Sequence, residues 1–159
     1  MPDTPYNLSV ATVLTAMAVS AQLLDGTNKP LKITVIPSQR WQGNVQYTES
    51  VDVMPTASGL RQRLVSYLCG YVLERESQGV DTGGTAKVLN QASSLAGKIV
   101  ELQALPGDPI ANTTALVAEC LTEAQQFVSA HRQQIHAVAA VLAEKGELTG
   151  AELEALLAR

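Results

Sequence analysis

Two histidines, His131 and His136, are the only imidazoles in the chain. Imidazole is the commonest metal ligand and the usual proton shuttle at neutral pH, so their spacing comes first. A zinc pair on one helix face needs ligands four residues apart. These stand five apart, which rotates the second ring off the face of the first. No Cys, Asp or Glu pattern accompanies them, and they read as polar residues on a helix surface. So few histidines leave no Ser–His–acid arrangement to pick out. Glu74 and Glu76 are two apart and do not share a helix face, so they are not a carboxylate pair. Tyr67 and Tyr71, one helical turn apart, read as residues at the edge of a core rather than as acids. Cys69 and Cys120 fall in apolar helical patterns and read as buried free thiols.

The glycine-rich turn is Thr82-Gly83-Gly84-Thr85. It is not a GxxxxGK[ST] nucleotide loop. Its backbone N–H groups can hold an anion at the start of a helix; the plainer reading is a tight turn that lets the helix begin. Trp41 lies in a loop, where it either anchors a contact or packs beneath the loop.

Composition narrows the function classes. The chain has 159 residues and a net charge of −4, with 11 basic residues scattered along it. A nucleic-acid surface concentrates Lys and Arg, so nucleic acid is discounted. Hydrophobic residues make up 46% and aromatics 4%. A core of Leu, Val, Ala and Ile suits packed helices better than a β-sandwich. Charged residues are only 16%, below the usual quarter, which leaves room for a surface covered by a partner. The most apolar run, Leu8 to Leu24, is broken by Ser9, Thr12, Thr15, Ser20 and Gln22 and lacks a basic flank. It is marginal as a membrane span or a signal and reads as a buried helix in a cytoplasmic protein.

The elements that would position any site follow from periodicity. Asn7 or Ser9 caps the first helix, which stops near Asp25-Gly26. Leu31 to Ile36 and Gly43 to Thr48 read as strands joined by a hairpin loop over PSQRWQ. A sheet of two or three short strands needs helices over one face. Thr56 to Glu76 reads as a helix with Leu60, Leu64, Tyr67, Leu68, Tyr71 and Val72 at spacings of three and four. A loop over Val80 to Thr85 leads to a helix from Ala86 to Gln103, with Leu95, Ile99 and Leu102 on its apolar stripe. Leu105 to Pro109 breaks it. Thr113 to Lys145 is helical but long enough to expect a kink near Ala130 to Arg132. Gly146 is a C-cap, and Thr149 with Glu152 has capping-box spacing for a last helix through Leu157. The expected class is mainly helical α+β: one domain with an irregular start at 1–7, a first part at 8–110 and a helical tail at 111–159.

The order of these features resembles the peptidase domain of FtsH-type AAA zinc metalloproteases, over roughly residues 8–157. LKITVIPSQ is similar to the family's KVTIIPRG-like strand, and Gly43 to Tyr47 to its LGY turn. Leu68 to Glu74 is similar to its LGGRAAEE helix. Asp81 to Lys87 followed by Gln91-Ala92 looks like its TGASNDL…AT segment. The tail AQQFVSAHRQQIHAVAAVLAEKGELTGAEL looks like its closing helices.

The resemblance implies a zinc site built from an HEAGH helix and an Asp after the TGAS turn. In this chain the HEAGH positions are Val13-Leu14-Thr15-Ala16-Met17. Val13 and Met17 stand for the histidines, Leu14 for the general base and Lys87 for the Asp. Val and Leu carry no ligand atom, Met is a soft thioether poorly suited to catalytic zinc, and Lys repels a cation. The expectation is therefore no metal, no cofactor and no peptidase activity. Aliphatic side chains would fill the old pocket, each stabilising by about 1.5–3 kcal/mol if fully buried. Neither a phosphate loop nor a clear membrane span is seen, so the chain reads as a freestanding domain.

Three functions remain. The first is a catalytically inactive, peptidase-like domain acting by protein binding or self-association. The second is an adaptor or accessory subunit of a true AAA protease. The third is an enzyme with a remodelled pocket around Lys87, Thr82 and Thr85.

Overall fold

The computed structural model describes residues 6–24, 29–37, 43–47, 56–78 and 83–158, without the side chains of 77–78 and 83–88. These residues form α1 (Leu8–Leu23), β1 (Pro30–Thr34), β2 (Asn44–Tyr47), α2 (Ala57–Gln78), α3 (Gly83–Gln103), α4 (Pro109–Lys145), β3 (Glu147–Thr149) and α5 (Gly150–Leu157). The architecture is mainly helical, with one small antiparallel sheet in the order β2-β1-β3. The expected PSQRWQ loop beyond Pro37, Trp41 included, and the Asp25-Gly26 stop lie outside the described residues.

The sheet is held by its middle strand. Ile33 pairs with Val45 on one side and Leu148 on the other. All three side chains are buried, so one apolar row crosses the sheet and faces the helices. The third strand comes from the tail, just beyond α4. Gly146 makes this possible: its left-handed backbone, φ 84°, ends α4, and its N–H donates to the Leu142 carbonyl. Its own carbonyl accepts from Val35 N–H at 2.9 Å, fastening the turn to β1. A left-handed residue at this point of a helix is most cheaply a glycine.

Helices cover the sheet's apolar row. α1 is rich in alanine, and Ala11, Ala16, Ala18 and Val19 are fully buried. Small side chains let it sit close to its neighbours. Its principal partners are α2, α4 and the sheet, whereas α3 packs on α2 and α4. Arg61 on α2 binds Glu119 and Glu123 of α4, and Glu76 further along α2 binds Arg132. Both helices therefore run in the same sense. The charges are largely exposed and add little stability, but they mark the register.

Several ends match local reasoning. Asn7 caps α1 by accepting from Val10 N–H at 3.1 Å. Thr149 and Glu152 form the full capping box of α5. α4 bends at His131, whose φ of −117° and ψ of 16° depart from the helix. Its ring stacks on Phe127 at 4.1 Å, and Nδ1 lies 3.0 Å from the Phe127 carbonyl, so a side chain replaces lost regularity at the bend.

Other ends differ. α3 begins at Gly83 rather than Ala86, because a first helical turn needs no intrahelical partners for its N–H groups and tolerates glycine there. α4 begins at Pro109 rather than Thr113. Asp108 caps it, and proline at the first position gives up no hydrogen bond. Leu102 leaves the core: it is 58% exposed at the end of α3.

Candidate functional site

The positions that matter most lie on one stripe of α1. Val13 and Met17, one turn apart, close onto Gly70 of α2. A Cβ at position 70 would lie 2.8 Å from Met17 Cγ, 3.1 Å from Met17 Sδ and 3.3 Å from Val13 Cγ1. Leu14 turns instead to the sheet, against Gly43, where a Cβ would lie 2.5 Å from Leu14 Cδ1 and 2.8 Å from the Thr34 carbonyl. Val13, Leu14 and Met17 are each partly exposed. The stripe is thus hydrocarbon and thioether packed on two glycines, with Thr15 and Ser20 buried on other sides of the helix.

Lys87 sits on α3, its side chain outside the described residues, and so does the expected convergence of that side chain with α1. Gly83, Gly84 and Thr85 form the first turn of α3, while Thr82 lies outside the described residues. Among the described residues, no three His, Cys, Asp or Glu side chains gather closely enough to hold a metal ion. His131 serves the α4 bend, and His136 is exposed. Tyr67 and Tyr71 pack against the core from its edge, and Arg75 donates to the Tyr71 hydroxyl at 3.3 Å. Glu76 binds Arg132 in a two-pronged pair at 2.6 and 3.0 Å, and this hydrogen bonding holds its carboxyl below the usual range.

Both thiols are buried and free. Burial pushes Cys69 up to about 12 and Cys120 up to about 11. A nucleophilic cysteine needs its thiolate near neutrality, and neither has it.

One buried polar group escaped the sequence reading. Arg63 on α2 is only 6% exposed. Its guanidinium lies 3.4 Å from the Tyr47 ring centroid and 5.9 Å from that of Tyr67. Such stacking on aromatic faces is a favourable way to bury a guanidinium. The Tyr47 hydroxyl is buried without a hydrogen-bond partner among the described residues, and burial raises its pKa well above the usual value. The signal was present in the sequence: Arg63 stands three after Leu60 and four before Tyr67, on the apolar stripe of its helix.

A second feature that sequence reasoning missed is at the α3–α4 turn. Leu102, Leu105 and Ile110 are 58%, 46% and 77% exposed. Leu105 and Ile110 line an open groove of about 820 Å³ between the end of α3 and the start of α4. Among the described residues, no helix is long and apolar enough to cross a membrane. Comparison of the chain with protein-family models gives no match, and comparison with curated proteins gives none either.

Proposed function

We propose that this chain is a catalytically inactive, FtsH-peptidase-like domain that works in the cytoplasm by binding protein, including copies of itself. The observation that carries the reading is the packing of Val13 and Met17 on Gly70. The two positions at which the resemblance expects zinc ligands hold side chains without a suitable donor, closed onto a helix backbone. The exposed aliphatic side chains of the α3–α4 turn support a binding role, because an apolar patch on a protein surface marks an interaction site. Metal analysis of the purified protein, with a casein-degradation assay, tests the proposal. The expected result is no bound zinc and no cleavage; stoichiometric zinc with proteolysis overturns it.

A further inference from the structure

We draw no further inference here: the strongest candidate, the exposed apolar face that Leu105 and Ile110 form along the groove between the end of α3 and the start of α4, carries nothing because nothing in the structure shows what covers it.

Discussion

Met17 of α1 lies directly over Gly70 of α2, its Cγ 2.8 Å from where a Cβ at position 70 would be. The crossing of the two helices depends on this missing side chain. Gly70→Val adds three carbons to a contact already closed by Met17 and Val13. The helix preference of valine over glycine offsets only a few tenths of a kcal/mol; overpacking costs about 1–3 kcal/mol. The variant should melt earlier. Met17→Ala in that background should recover part of the loss, as a coupling of about 0.5–3 kcal/mol in a double-mutant cycle by urea denaturation. Additive effects would show that the two side chains do not meet.

Gly146 and Gly97 should respond oppositely to the same change. At Gly146 the backbone is left-handed, φ 84°, and a Cβ would lie 2.7 Å from the Tyr6 ring and 3.1 Å from Ile36 Cγ1. Gly146→Ala should destabilise by about 1–2 kcal/mol from backbone conformation alone, more if Tyr6 is displaced. Gly97 is helical with open space at its Cβ, so Gly97→Ala should stabilise by up to about 1 kcal/mol. Chemical denaturation of the two variants at low protein concentration checks both signs.

Acid should loosen the α2–α4 contact. The Arg132 hydrogen bonds hold the Glu76 carboxyl below its usual range. A carboxylate depressed on folding contributes stability above its unfolded pKa and loses it as pH falls through its folded value. Part of the acid sensitivity below about pH 4.5 should therefore belong to this pair. Glu76→Gln should lower stability slightly at neutral pH and flatten the melting temperature across that window. An unchanged pH profile would remove Glu76 from the account.

Both cysteines should be silent toward thiol reagents at neutral pH. Cys69 is fully buried, its Sγ 3.9 Å from the Ala124 carbonyl, and Cys120 is fully buried as well. With burial pushing their values to about 12 and about 11, thiolate is scarce and access is closed. Labelling by a disulfide reagent should proceed only on unfolding, and should accelerate with urea. Rapid labelling of the native protein would contradict the packing of α2 on α4.

Local chemistry was legible in the residues themselves. Asn7, Gly146 and the Thr149–Glu152 pair could be placed because a helix end has unpaired backbone groups that a nearby residue must satisfy. The bend at His131 followed from the length of an unbroken apolar pattern, and the first two strands from β-branched alternation closed by Pro37.

What the chain's order alone left open is which surfaces meet. Leu102 continues the apolar stripe of its helix yet is more than half exposed, because α3 ends at Gln103 and no other described residue covers it. Glu147 to Thr149 becomes a strand only because Lys32 to Thr34, more than a hundred residues earlier, presents a free edge. Arg63 is buried because Tyr47, from another element, lies under its guanidinium. Short-range backbone needs are written in neighbouring residues; contacts between distant faces exist only once every helix has found its place.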